Sequence, residues 1–232
     1  MRGRLRIEGT GRVEIGDDCV FDGDNVIRTG DPDAAVRIGS GCSLSGAVFD
    51  ASGKVVLGRG VQVRGPFVID GPGRVVVGDG CLVDRGSGGN AIHATGPATT
   101  VTIGRECYLN GVDVFATEDV TIGDRCIIGE CSFVTTDFHS ADPDRWSPSA
   151  LVRTGRIAVG ANVWIAARTV VTKGVTIGDN SVVSLGTIVR EDVPPDVIVS
   201  SHEQRVVKAM TQPAAADPFV WETWWTRSDG SG

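Results

Sequence analysis

No uninterrupted apolar run in these 232 residues approaches the ~20 that a helix needs to cross a bilayer. The opening MRGRLRIEGT lacks the apolar core of a secretion signal. Basic blocks are missing as well. Lys and Arg number 22 against 29 Asp and Glu, and they are scattered along a chain of net charge −7. That distribution argues against a nucleic-acid backbone or an anionic membrane surface as the main partner. There are six cysteines but no Cys-x-x-Cys, so the usual zinc and redox spacings are not present. A helical period is absent over the first 195 residues. Histidine is scarce, with three in all. These absences lead to the expectation of a soluble, cytoplasmic protein built from something other than helices.

What is present is a repeat. An aliphatic residue precedes glycine at Ile15, Ile38, Leu57, Val77, Ile103, Ile122, Val159 and Ile177, at intervals of 23, 19, 20, 26, 19, 37 and 18 residues. A shorter period of six runs inside each unit, as in VTIGDR-CIIGEC-SFVTTD (120–137) and VTIGDN-SVVSLG-TIVRED (175–192). Strands of three or four residues would turn the aliphatic side chain inward, with Gly-Asp or Gly-Asn as a tight corner. Three hexapeptides then close one triangular coil, and stacked coils pair edge to edge over a continuous core. The spacing predicts an all-β parallel β-helix over residues 1–200. Loop insertions are expected near 84–98 and 137–155, where the two longest intervals carry their surplus. The cysteines follow the same lattice. Cys19, Cys42, Cys81, Cys107 and Cys126 each fall four residues after the aliphatic, and Cys131 stands in the same place relative to Ile127. They read as small buried side chains in a reducing compartment, not as a disulfide framework or a metal site.

One stretch breaks the monotony. TTDFHSADPDRW (135–146) sets His139 among Asp137, Asp142 and Asp144 inside the longest interval. A histidine in an arbitrary loop is by default a solvated residue, and an Asp before Pro is by default a turn former. An imidazole with an ordinary pKa near 6.5 also suits a general base, and rigid scaffolds carry such groups on loops.

The repeat, together with three motifs in order, resembles the hexapeptide-repeat acyltransferases, and in particular the galactoside, maltose, nodulation-type and polysaccharide O-acetyltransferases. Those motifs are IGRECYLNGVDVF (103–115), TTDFHSADPDR (135–145) and IAVGANVWIAARTVVTKGVTIGDNSVVSLGTIVREDVPPDVIVSSHEQRVVK (157–208). The resemblance implies a left-handed β-helix, acetyl-CoA as co-substrate without a metal, and a homotrimer with active sites between subunits. It further implies transfer of an acetyl group to a sugar hydroxyl, for example on a precursor of a surface polysaccharide. Residue by residue it makes His139 the catalytic base with Asp142 as its orienting carboxylate, and Asn110 the contact to the acceptor. Trp164 would lie beside the pantetheine arm, with the Ala167 N–H on the thioester carbonyl, while Leu185, Arg190 and Arg205 complete the coenzyme contacts. This sequence departs from the pattern at Ala116-Thr117, where an aspartate is common. It departs again at Ser184-Leu185-Gly186, Arg190-Glu191 and Ser201-His202-Glu203, all at the coenzyme end.

Two other readings are a catalytically idle β-helix scaffold and a zinc hydratase with His93 as a ligand. The hydratase requires two histidines close together on one loop, and near His139 those places hold Asp142 and Asp144. His93, in DRGSGGNAIHATGPATT (84–100), reads as a surface-loop residue. Residues 201–212, SHEQRVVKAMTQ, fit a short capping helix opened by Ser201. The rest of 201–232 is a tail in which Trp221, Trp224 and Trp225 should dock on a coil or a neighbour.

Overall fold

The computed structural model describes residues 3–141, 143, 147 and 149–200, and the backbone of 205–209. Every regular element among them is a β-strand. The first coils are β1 (Arg4–Gly9), β2 (Arg12–Ile15), β3 (Val20–Asp22) and β4 (Asp24–Thr29); then β5 (Ala35–Ile38) and β6 (Ser43–Ala51); then β7 (Lys54–Leu57) and β8 (Gln62–Gly71). Next come β9 (Arg74–Val77), β10 (Leu82–Asp84) and β11 (Asn90–Ala94), followed by β12 (Thr100–Ile103), β13 (Tyr108–Asn110) and β14 (Val112–Ala116). The coils around the site are β15 (Val120–Ile122), β16 (Ile127–Ile128) and β17 (Cys131–Val134), then β18 (Ile157–Val159), β19 (Trp164–Ile165) and β20 (Thr169–Thr172). The chain closes with β21 (Thr176–Ile177), β22 (Val182–Val183), β23 (Ile188–Val189), β24 (Val197–Ser200) and β25 (Arg205–Ala209).

Strand pairing is parallel from β1 to β24, as a stack of coils requires. The aliphatic-glycine repeat maps onto one face: Ile15, Ile38, Leu57, Val77, Ile103, Ile122, Val159 and Ile177 are direct partners in succession. That face is the eight-stranded sheet β2-β5-β7-β9-β12-β15-β18-β21. The parallel solenoid fits the left-handed β-helix that the resemblance implies. Its axis is filled by inward Val, Ile, Leu and Phe, among them Phe49, Phe67 and Phe133. Repeat cysteines donate their thiols to glycine carbonyls of the next coil, for example Cys81 Sγ to Gly104 O at 3.1 Å and Cys107 Sγ to Gly123 O at 3.2 Å. All six are free thiols. Burial pushes the Cys42 and Cys131 thiols up, away from the reactive thiolate.

The structure corrects two expectations. Residues 205–209 are not helical: β25 runs antiparallel to β24, with Ser200 opposite Arg205. The end of a solenoid leaves a strand edge open, and here an added strand pairs with it. The segment that reads as a single loop near 84–98 holds a strand instead. The surplus of its interval is split between two corners, 85–89 and 95–99, with β11 between them. His93 is therefore a half-buried strand residue, partnered in register by Asp70 and Phe115. Residues 135–156 leave the solenoid between β17 and β18, and an antiparallel bridge between Thr136 and Thr154 closes their neck.

Candidate active site

Two edges of one face carry the residues of interest. The face is formed by β11, β14, β17, β20 and β23. At its first edge, Asn110 ends β13 just before the positive-φ Gly111. Two other asparagines show what a structural corner residue does here. Asn90 is buried, with its Nδ2 donating to Asp84 O at 2.6 Å and its Oδ1 accepting from Val112 N at 2.9 Å. Asn25 is bonded in the same manner to Asp22 O and Ala47 N. The Asn110 carboxamide has no such bonds among the described residues and is half-exposed.

Two coils further, Trp164 opens β19 with its side chain facing out, 51% exposed. Ala167 follows at the corner between β19 and β20. The flanking amides are taken, Ala166 N–H by Val183 O and Arg168 N–H by Glu130 O. The Ala167 N–H has no acceptor among the described residues, so it is free to donate to a carbonyl. Val182 pairs with Trp164, and Leu185, three residues after Val182 as Ala167 is after Trp164, projects at 66% exposure. Exposed large apolar groups stacked along one edge are the usual sign of a binding surface.

A cavity of about 260 Å³ opens at this edge, lined among others by Gly111, Asp113, Glu130, Ser132 and Arg168. Gly111 and Arg168, which line this hollow, are the residues immediately after Asn110 and Ala167. Glu130 accepts the Ser87 N–H at 2.8 Å, which together with the nearby Arg168 charge holds its carboxyl below the usual range. Burial pushes Asp113 up, partly offset by His93. None of the four side chains Asp113, Glu130, Ser132 and Arg168 stands out in the sequence. The one signal that could have found them is a polar residue either at the last corner position, as Glu130 and Arg168 are, or at the first outward position of the strand that follows, as Asp113 and Ser132 are.

The second edge carries His139, exposed on the segment that follows β17. Its N–H donates to Asp137 O at 2.7 Å, and Asp137 itself forms an ion pair with Lys173. Arg190 follows β23 at this same edge. The sequence-predicted residues thus separate. Asn110, Trp164, Ala167 and Leu185 share one edge, while His139 and Arg190 lie at the other. The five residues of β14 divide them, on the order of 15 Å at strand rise. Asp142, His202 and the tryptophans of the tail lie outside the described residues, and of Arg205 only the backbone position in β25 is described. Among the described residues, no three His, Cys, Asp or Glu side chains group as a metal site would require.

Known proteins share this scaffold. The galactoside O-acetyltransferase of Escherichia coli K12 is 33% identical over 111 residues, which are 47% of this chain and 54% of that one. The relatives of this chain are hexapeptide-repeat acetyltransferases. The chain spans about half the length of the curated relatives it matches, 54% for the E. coli enzyme and 51% for a putative acetyltransferase of Bacillus subtilis. A hexapeptide-repeat acetyltransferase from Vibrio cholerae, solved with acetyl-CoA, is 31% identical over 48% of this chain and 61% of its own, with a TM-score of 0.45. The polySia-specific acetyltransferase NeuO aligns over 93% of this chain and 84% of its own, with a TM-score of 0.58 and 19% identity. That likeness establishes a shared fold over nearly the whole solenoid. No family model matches the chain.

Proposed function

We propose that this protein is an acetyl-CoA-dependent O-acetyltransferase that acts on a saccharide hydroxyl, with His139 as general base. What supports the reading is a pair of unbonded polar groups along one edge, the Asn110 carboxamide and the Ala167 N–H, each next in sequence to a residue that lines the corner cavity. Asn110 orients the acceptor hydroxyl. Ala167 receives the thioester carbonyl, while Trp164 and Leu185 give the pantetheine arm an apolar track and Arg190 and Arg205 serve the coenzyme phosphates. His139 takes the hydroxyl proton as the oxygen bonds to the thioester carbon, and Ala167 donates to the developing oxyanion. Collapse breaks the carbon–sulfur bond. The imidazolium then returns its proton to the leaving thiolate, and an acetyl ester and free coenzyme result. Asp142 is assigned to hold the imidazole tautomer, as an orienting carboxylate does in a triad.

Within one chain His139 and Asn110 stand at opposite ends of β14. A second copy that sets its own His139 edge against the Asn110 edge completes the site, and three copies do so symmetrically, which supports a homotrimer. Phe138, Leu151 and Val152 are exposed apolar residues on the 135–156 segment, which is what a segment docking on a neighbour would present. The sugar class follows the relatives' names, and a precursor of a surface polysaccharide fits it. A cytoplasmic site of action is proposed with it.

The test is His139→Ala. Transfer, read as free-thiol release from acetyl-CoA across a panel of mono- and oligosaccharides, should fall roughly 10²–10⁴-fold. Acetyl-CoA binding by calorimetry should stay unchanged. Undiminished transfer would remove the base from the mechanism, and failure to bind acetyl-CoA at all in the unaltered protein would favour a scaffold.

A further inference from the structure

We infer that Phe138 is a positioning residue for His139, held in a strained turn by an aromatic stack that descends through three coils. The inference rests on His139 being the base. Phe138 has φ +59°, a left-handed conformation that is a true outlier for so bulky a residue. The His139 N–H donates to Asp137 O, two residues back, at 2.7 Å. A three-residue turn closed around a positive φ is the rarer, strained form of the γ-turn. Strain of this kind persists only where the surroundings over-determine it, and it concentrates at functional sites.

The surroundings here supply two fixtures. Asp137 is clamped by its ion pair with Lys173 and by its own N–H, which donates to Arg153 O at 3.0 Å. The Phe138 N–H is taken by Thr136 Oγ1 at 3.1 Å. The second fixture is remote in sequence. The Phe138 ring meets Phe115 edge to face, with centroids 5.9 Å apart at 77°. Phe115 lies flat on His93 at 5.0 Å and 18°. His93 Nδ1 is 2.9 Å from both carboxylate oxygens of Asp70. Asp70, His93 and Phe115 are register partners on successive coils, so each takes its position from the rigid lattice. The stack transmits that rigidity to the one residue before the base. A base placed about 1 Å wrong can lose on the order of a hundredfold in rate, and positioning it is what the stack accomplishes.

The experiment uses the full-length protein and four variants: Phe115→Leu, Phe138→Gly, Phe138→Tyr and His139→Ala. The first readout is the His139 imidazole ¹H–¹³C NMR signal, assigned by its loss in His139→Ala. In Phe115→Leu and Phe138→Gly it should move to the position of a free histidine, and in Phe138→Tyr it should stay. The second readout is thiol release from acetyl-CoA with methyl β-galactoside or the best acceptor of the saccharide panel. Here kcat should fall on the order of ten- to a hundredfold in Phe115→Leu and Phe138→Gly, with KM for acetyl-CoA little changed. The melting temperature of Phe138→Gly should stay within about 3 °C, because glycine relieves the positive φ while adding chain freedom. A merely structural role would move stability and activity together. A His139 signal unmoved in Phe115→Leu overturns the inference. A signal that moves as expected, with His139→Ala still fully active, supports the positioning and overturns the base assignment instead.

Discussion

Asn90 and Asn110 belong to corresponding corners of successive coils but not to matching positions: Asn110 ends β13 and pairs with Asp84, whereas Asn90 opens β11. Asn90 is buried and bonded at both ends of its carboxamide, so Asn90→Ala should strand a buried amide and a carbonyl and cost about 2 kcal/mol. Asn110→Ala breaks no bond among the described residues, so its unfolding midpoint should match the unaltered chain while KM for the acceptor rises. Chemical denaturation and acceptor kinetics on the two variants check the contrast, and equal destabilisation would make Asn110 a second structural corner. His93 shows the reverse case. The glycines and serines around it suggest a solvated loop, yet the alternation in NAIHA is the better guide, because it places residue 93 outward on a strand against Phe115.

The corner is the element on which everything else is mounted, and its parts divide differently from the sequence pattern. The glycine after each aliphatic is needed for close approach: a methyl group at Gly160 would overlap Asp179 Oδ1, and at Gly104 it would overlap Asp124. The left-handed turn itself falls two residues later, at Asp18, Gly41, Gly60, Gly80, Glu106, Arg125, Asn162 and Asn180. Corner aspartates of one coil accept backbone N–H groups of the coil before it, as Asp79 does from Arg59 and Asp124 from Arg105, each at 2.8 Å. Those amide bonds come first among the causes that hold both carboxyls below the usual range. A lowered folded-state value means that the stabilisation is present above the unfolded pKa, near 4, and is lost as pH falls through the folded one. The urea midpoint should therefore be level above about pH 5 and decline below about pH 4. Asp124→Asn should flatten part of that decline, and an unchanged slope would show that the corner carboxylate does not contribute.

At the scale of the whole molecule, the separation of the His139 and Asn110 edges predicts complementation. His139→Ala and Asn110→Ala subunits, each impaired as a homo-oligomer at low acceptor concentration, should regain roughly a quarter of the unaltered sites when co-assembled at random, since each site draws on two neighbours. No regain, or a stable monomer by sedimentation at micromolar concentration, would place the chemistry within one chain. The order of residues along the chain suffices for the solenoid, because a coil that must repeat its inward aliphatic every 18 to 20 residues leaves that period in the residues. Ile15 through Ile177 are legible as one face from the repeat alone, as are five buried cysteine positions, while Cys19, on the first coil with no coil before it, is only half-buried. Residue order also marks which side chains are candidates for chemistry, because a base or an exposed tryptophan stands out against so regular a background. Other features arise only when the chain is folded: where the surplus residues leave the coil, that residues 205–209 cover an open edge as a strand, and that Asp113, Glu130, Ser132 and Arg168 line one polar cavity. The placement of His139 across the face from them belongs with these. A one-dimensional repeat records how far along a coil each residue is; which edge it reaches, and what stands above and below it, depends on how the insertions are shared among corners and how the coils stack.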